Sequence, residues 1–389
     1  MNRNLFLLAL AQGLFLTNNV TFIAINGLVG LSLAPFGWMA TLPVMGYVVG
    51  AALSTPLVAK AQSRWGRKVS FQLGLLVAMA SAALAALGVS VQQFWVVVLA
   101  TFLAGYYSAN GQLYRFAAAE LCAPKFRERA VSWVMAGGLI GAIIGPNLAS
   151  QSRSWLALPF AGAYAALVGV ALLSLGVISM IGFPALAPKR ASAEAPRSLA
   201  TIVRQPVFVV AAVAASLGYG VMNLLMAATP LAMQVCGLSF EKTAHVLQWH
   251  VIGMFAPGLF TGSLIARFGV LRVMGAGVLL NAICIAVALT GTELDQFMGA
   301  LLLLGVGWNF LFTGSTTMAL TAYSAQEKDR AQAAINFCVF TTMAVTSFAS
   351  GALVTTQGWA WLNQGSLLPV AITALALLWL ARYQRAQRA

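Results

Sequence analysis

Twelve stretches of this chain are apolar over about the 20 residues that a helix needs to cross a bilayer. They fall at roughly 5–29, 38–58, 69–89, 94–116, 130–149, 156–181, 207–232, 244–265, 273–289, 297–319, 331–354 and 367–381. Only 8% of the 389 residues are charged, against about 25% in an ordinary soluble domain. In lipid every backbone polar group must be satisfied internally, which leaves helices and closed barrels as spanning structures. Continuous runs, rather than ten-residue alternation, select helices. The expected fold is an all-α membrane protein with twelve transmembrane helices.

Between the sixth and seventh runs lies a polar segment, 184–205, reading PALAPKRASAEAPRSLATIVRQ. It divides the chain into 1–183 and 206–389, six spans each, joined by a linker. With both termini placed in the cytoplasm, every lysine and arginine of the 22 except Arg115, Arg153 and Lys242 falls in an inside loop or tail. The positive-inside rule works on short loops of this kind. It therefore accounts for the net charge of +14 through the bilayer and leaves no need for nucleic acid. The run after Met1–Arg3 lacks a small-residue cleavage site and reads as a retained first span.

The four cysteines, Cys122, Cys236, Cys284 and Cys338, form no C-x-x-C pair, so neither a disulfide framework nor a metal site is signalled. No phosphate-binding G-x-x-x-x-G-K-[ST], H-E-x-x-H or G-x-S-x-G pattern is present. The chain does not read as an enzyme, and no cofactor is expected.

The sequence repeats itself across the linker. Residues 59–68 read AKAQSRWGRK, and residues 262–272 read GSLIARFGVLR, with Arg64 and Gly66 echoed by Arg267 and Gly269. Gly50 is matched by Gly253 at the same offset, and Arg129-Ala130 by Arg330-Ala331. A basic R-x-G turn after the second span of each half resembles motif A of the major facilitator superfamily. The resemblance implies two pseudo-symmetric six-helix bundles, a cargo site between them near mid-membrane, rocker-switch alternating access, a monomer, and the bacterial inner membrane. The family's acidic residue is replaced by Ser63 and Ala266, so its simplest ionic latch cannot form. Arg64, Arg67 and Lys68 are instead expected to reach Glu120 or Glu128, with Glu120→Gln shifting the resting state towards inward-facing.

Small residues recur at four-residue steps where helices approach closely: Gly46, Gly50 and Ser54; Gly137, Gly141 and Gly145 before Pro146; Gly258 and Gly262 beside Pro257; Ser347 and Gly351. These lie on spans 2, 5, 8 and 11, which in the family pack across the halves. The G-x-x-x-G-P at 141–146 also resembles part of motif C of proton-coupled exporters. A packing stripe with a proline bend explains it equally.

The family's cavity is lined by spans 1, 4, 7 and 10. Here these hold Gln12, Asn18, Asn19 and Asn26; Tyr107, Asn110, Tyr114 and Arg115; Tyr219 and Asn223; Trp308, Asn309 and Thr313. Phe15, Asn19, Phe22 and Asn26 share one face. Such side chains avoid lipid and face protein or a water-filled cavity. Aromatics with amides suit a small organic molecule bearing a flat or apolar body and hydrogen-bonding edges.

All eight acidic residues (Glu120, Glu128, Glu194, Glu241, Glu293, Asp295, Glu327 and Asp329) lie away from span centres, although proton-coupled carriers commonly use an intramembrane carboxylate. The remaining coupling or gating candidates are His250, whose imidazole ordinarily titrates near pH 6.5, Glu120, and the basic residues Arg64, Arg67, Lys68 and Arg267. Arg115 is a candidate for holding an anionic cargo. Three functions stand open: an exporter of small organic compounds exchanging them for protons, an uptake carrier or facilitator for a neutral or anionic vitamin-like heterocycle, and a non-transporting sensor or scaffold.

Overall fold

In the computed structural model the residues described are 2–123, 126–184, 197–324 and 327–387, apart from the side chains of 127–129 and 329. A helix running from Leu42 to Ser90 is interrupted at Gly66, whose φ of 81° and ψ of 174° are not helical. Uninterrupted, its 49 residues would extend about 74 Å, more than twice the roughly 30 Å hydrocarbon core. The break makes two crossings, α2 (42–65) and α3 (67–90). Gly269, at φ 87°, makes the corresponding turn in the second half. Only glycine takes this backbone region without a steric penalty. Each glycine follows an arginine–aromatic pair in which the guanidinium lies over the neighbouring ring, Arg64 on Trp65 at 5.5 Å and Arg267 on Phe268 at 5.3 Å. The sequence repeat is therefore a repeat of conformation.

The other crossings are α1 (Arg3–Leu33), α4 (Phe94–Glu120), α5 (Arg127–Ser152), α6 (Ala161–Ser179), α7 (Pro206–Val235), α9 (Val270–Ala288), α10 (Leu294–Ala319), α11 (Lys328–Thr356) and α12 (Gly358–Ala386). The eighth crossing, α8, is a pair of helices, Phe240–Phe255 and Gly258–Phe268, bent by 41°. Pro257 supplies no N–H to the break, and Asn309 on α10 donates its amide to the Met254 carbonyl there at 2.7 Å. The expected twelve helices form two six-helix bundles, α1–α6 and α7–α12.

Some boundaries differ from those read in the sequence. α12 begins at Gly358 rather than 367, because Asn363 and Ser366 return their polar groups to Trp359 and Leu362 carbonyls within the helix. α6 begins at Ala161 rather than 156, after a turn in which Phe160 takes φ 68°. A short helix, Leu199–Val203, precedes α7. Most of the expected linker, 185–196, lies outside the described residues.

The small-residue stripes pack mainly inside each bundle. A Cβ on Gly50 would collide with the Phe102 carbonyl of α4, and one on Gly105 with the backbone of Gly50 and Ala51. Gly253 and Gly305 repeat this between α8 and α10. On α5, Gly137 and Gly141 meet the α1 backbone at Ala9, Gly13 and Thr17, and Gly145 lies against Thr17 and Val20. Thr21 adds a 2.9 Å bond to the Gly145 carbonyl. The G-x-x-x-G-P glycines thus seat α5 on α1 of the same bundle, while α5 meets α8 and α2 meets α11 across the bundles as expected. Gly258 is in ordinary contact with Asn309, and Gly262 has open space. Of the stripe glycines, Gly351 meets the other bundle, at Thr41.

The bundles join most extensively at one end. The end bearing Arg64–Lys68, Glu120, Arg267 and Glu327 is termed the basic face, and the opposite end the far face. Towards the far face one apolar core takes in α1 from Val20 to Val29, Tyr47, Tyr164, α7 from Val221 to Met233, Val251 and Trp359. Towards the basic face the cores separate, one around Leu8, Phe15, Phe71 and Tyr114, another around Ala211, Met274 and Leu311. Thr41 donates to the Phe348 carbonyl at 3.3 Å and accepts from the Gly351 N–H at 3.0 Å. Asn147 donates to Gln248 at 3.0 Å. Phe160 and Phe240 meet edge to face at 5.0 Å, and the Arg153 guanidinium sits 5.1 and 5.7 Å from their rings. The far face is closed across the bundles.

Gly50→Ala is expected to destabilise the detergent-solubilised protein by about 1–3 kcal/mol, the usual range for overpacking. Gly169→Ala, placed where nothing lies within 4 Å, should leave the melting temperature unchanged. A thermal-shift assay on the two variants checks this.

Candidate functional site

Most of the polar residues expected to line a cavity bind neighbouring helices. Asn19 donates to the Tyr47 hydroxyl at 2.9 Å, and Asn26 accepts from Tyr164 at 2.5 Å. Asn110 accepts from Ser70 at 3.0 Å and donates to the Tyr106 carbonyl at 3.1 Å. Asn223 is shared among the Met343 carbonyl and the Thr346 and Ser347 hydroxyls at 2.9–3.1 Å. Asn309 accepts from Thr261 at 2.7 Å as well as bracing the α8 break. These amides hold helices together and have little left to offer a cargo. The reason is energetic: an amide in hydrocarbon finds protein partners where it can.

The shared face of α1 likewise points into its own bundle. Phe15 packs against Tyr107 and Tyr114 at 5.5 and 6.0 Å, and Phe22 against Tyr47 and Tyr164 at 5.6 and 5.7 Å. Tyr107 and Tyr114 are almost wholly buried, beside Ser174. They belong to the bundle core. Asn18 is buried, and its amide nitrogen and the Gln12 side-chain oxygen have no partner among the described residues.

The coupling and gating candidates divide in the same way. His250 is fully buried between α8 and α10, with Nδ1 2.7 Å from the Leu301 carbonyl. Arg67 makes a two-pronged bond to Glu120, Nε to Oε2 at 3.0 Å and Nη2 to Oε1 at 2.5 Å, and also donates to Gln62. That pair joins α3 to α4 within one bundle, as expected from the sequence, where both residues precede the linker. Lys68 is half-buried beside this turn, and Arg64 and Arg267 lie over their aromatic neighbours. Glu128, the other expected partner, lies outside the described residues.

What remains between the bundles is an aromatic panel facing a cation. Trp308 and Phe312 stack at 5.0 Å with 7° between their planes, and Tyr219 meets both edge-on at 5.1 and 5.4 Å. Phe255, at the α8 break, reaches Trp308 at 6.3 Å. The Trp308 indole N–H has no partner among the described residues. Across from this second-bundle panel stands Arg115 of the first bundle, within electrostatic reach of the Tyr219 hydroxyl. α4 breaks between its Phe94–Gly111 and Tyr114–Glu120 segments, where Gly111 admits the Phe15 ring against its backbone. Arg115 sits just beyond that break. Phe312 and Phe255 were not singled out in the sequence, although Phe312 follows Trp308 by the four residues that place two side chains on one helix face.

The sequence profile of the Major Facilitator Superfamily matches residues 5–256 and 246–389. The chain belongs to the major facilitator superfamily. This superfamily member is 37% identical over 378 residues to the riboflavin transporter RfnT of Brucella anthropi, covering 97% of this chain and 94% of that one. It is 26% identical to the uncharacterized MFS-type transporter YddS of Bacillus subtilis, over 81% of this chain and 75% of that protein. Among solved structures, the POT family transporter PepTSo superposes with a TM-score of 0.77 at 11% identity, covering 100% of this chain and 99% of that one. A bacterial metal transporter gives 0.69 at 16% identity, over 97% and 98%. These superpositions speak to the fold. The protein is a multi-pass membrane transporter rather than an enzyme.

One further polar device braces this transporter at the basic face. Glu327 takes both the Nε and Nη2 of Arg197 at 2.7 Å, together with the backbone N–H groups of Arg197 and Ser324. Arg197 and Gln205 also donate to the Ala322 carbonyl. The Arg197 bonds, then the Ser324 N–H, hold the Glu327 carboxyl well below the ordinary carboxylate value of 4.5. A depressed carboxylate contributes stability above its unfolded pKa and loses it only as pH falls through the folded one. Arg197→Gln should therefore lower the melting temperature by the same amount at pH 7 and pH 5. Melting curves of wild type and variant should converge only under more acid conditions.

Proposed function

We propose that this transporter carries a small, flat, vitamin-like heterocycle of the riboflavin type across the bacterial inner membrane as a facilitator. The carrying observation is the panel of Tyr219, Trp308 and Phe312 set opposite Arg115 between the two bundles. A stacked aromatic pair offers a sequence-tolerant platform for a planar ring, and edge polar groups orient it. Likeness to a riboflavin transporter along nearly the whole chain supports the same cargo class. Two bundles, 1–183 and 206–389, would rock about this site. Reading the basic face as cytoplasmic by the positive-inside rule makes the observed conformation inward-open, with both termini in the cytoplasm.

The facilitator reading is favoured over proton exchange because the intramembrane carboxylate is missing from the sequence and His250 is enclosed and bonded to Leu301. The partial exporter motif is accounted for by α1–α5 packing.

Riboflavin entry into proteoliposomes, followed by its fluorescence, tests both parts. Equilibration at the same rate with and without an imposed pH gradient is expected, and accumulation driven by the gradient would overturn the facilitator reading. Trp308→Ala should slow entry about tenfold, since stacking on an aromatic side chain is worth about 1–3 kcal/mol. Absence of riboflavin flux in wild-type vesicles that still exchange other flat heterocycles would remove riboflavin as cargo.

A further inference from the structure

Two cations from opposite bundles approach one phenylalanine at the basic face. The Arg115 guanidinium lies 4.9 Å from the Phe116 ring centre, and the Lys328 ammonium lies 5.8 Å from the same centre. Arg115 belongs to α4, and Lys328 opens α11. Among the described side chains, Glu120 is engaged by Arg67, and Glu327, next to Lys328 in sequence, by Arg197. The Nε of Arg115 is buried without a hydrogen-bond partner among the described residues. A buried cation that lacks a partner is costly, and two like charges brought together raise the cost. The ring that both approach offsets part of it through cation–π attraction, but contributes no negative charge.

An anion would complete this arrangement. Placed against Phe116, it would accept from the Arg115 fork, neutralise Lys328, and bridge the two bundles. The aromatic panel of Tyr219, Trp308 and Phe312 lies within electrostatic reach of Arg115 through Tyr219, so a ligand with a planar ring and an anionic tail could occupy both. We infer that the cleft at the basic face holds a binding site for a phosphate monoester of a flat aromatic heterocycle, with Arg115 and Lys328 taking the phosphate and the panel taking the ring. This rests on the proposed cargo class for the ring but not for the phosphate. A phosphorylated ligand pairing with both cations would occupy the inward-open cleft and exclude the neutral cargo from it.

The test uses the intrinsic fluorescence anisotropy of the flavin ring, titrated with the full-length transporter in nanodiscs of zwitterionic lipid. Riboflavin 5′-phosphate should bind at least about tenfold more tightly than riboflavin, as expected for charge-assisted hydrogen bonds, and should weaken as salt is added. Lys328→Gln, an exposed position, should remove most of that preference while leaving riboflavin affinity unchanged. Arg115→Gln should remove the rest, and Arg115→Lys should restore part of it. Equal affinity for the two flavins, or unchanged phosphate-ester binding in Lys328→Gln, would overturn the inference. So would complete displacement of the ester by nanodiscs containing phosphatidylglycerol, which would assign the cations to lipid headgroups. Tight ester binding without riboflavin flux would leave the anion site standing and remove the cargo assignment, and riboflavin flux without ester preference would do the reverse.

Discussion

Backbone approach at glycine is the contact on which the architecture depends. Lipid tails are as apolar as the side chains they would replace, so helices associate in a membrane through close packing and hydrogen bonds rather than through escape from water. Gly50 on Gly105 and Gly253 on Gly305 bring α2 to α4 and α8 to α10 at backbone contact. Gly137 and Gly141 do the same for α5 on α1. Across the bundles the joins are of a different kind: aromatic edges, one threonine on a backbone turn, an amide pair, and an arginine over two rings. Each of these can separate without opening a void inside a bundle. Tight packing within and adaptable packing between suit the rocking of two bodies proposed above.

Hydrogen bonding follows the same division. Pro257 bends α8, and the freed Met254 carbonyl is taken by Asn309 from α10, so the bend is held by its own bundle. Asn223 performs a similar service between α7 and α11. Polar side chains at membrane depth are thus spent on shape, and the cleft is left to aromatics and one arginine.

The architecture was legible in the sequence because its signals are local. Apolar runs mark crossings, and Gly66 with Gly269 marks a turn that only a positive φ can make. Direction was not legible. Small-residue stripes announce close approach without saying to which helix; those on α2 and α5 proved to face partners in their own bundle, and Gly262 on α8 faces open space. Asn26, Asn110, Asn223 and Asn309 looked like cargo ligands because an amide's partner is set by three-dimensional neighbours such as Tyr164, Ser70 and Ser347. Arg67 and Glu120 were expected to meet and do, because both lie at the helix ends beside the basic turn. The Arg197–Glu327 brace and the Arg153 clasp join residues far apart in sequence, and nothing in their local patterns foretells the pairing.

The placement of charge also sets how the membrane potential acts on this protein. Moving one elementary charge through 100 mV is worth about 2.3 kcal/mol. Every carboxylate of the sequence lies away from the span centres, and Arg115 stands close to the basic end of α4. Little fixed charge is therefore available to be displaced through the field as the bundles rock. For the neutral cargo and uncoupled facilitation proposed above, the cycle would be electrically quiet, with concentration rather than voltage setting its direction.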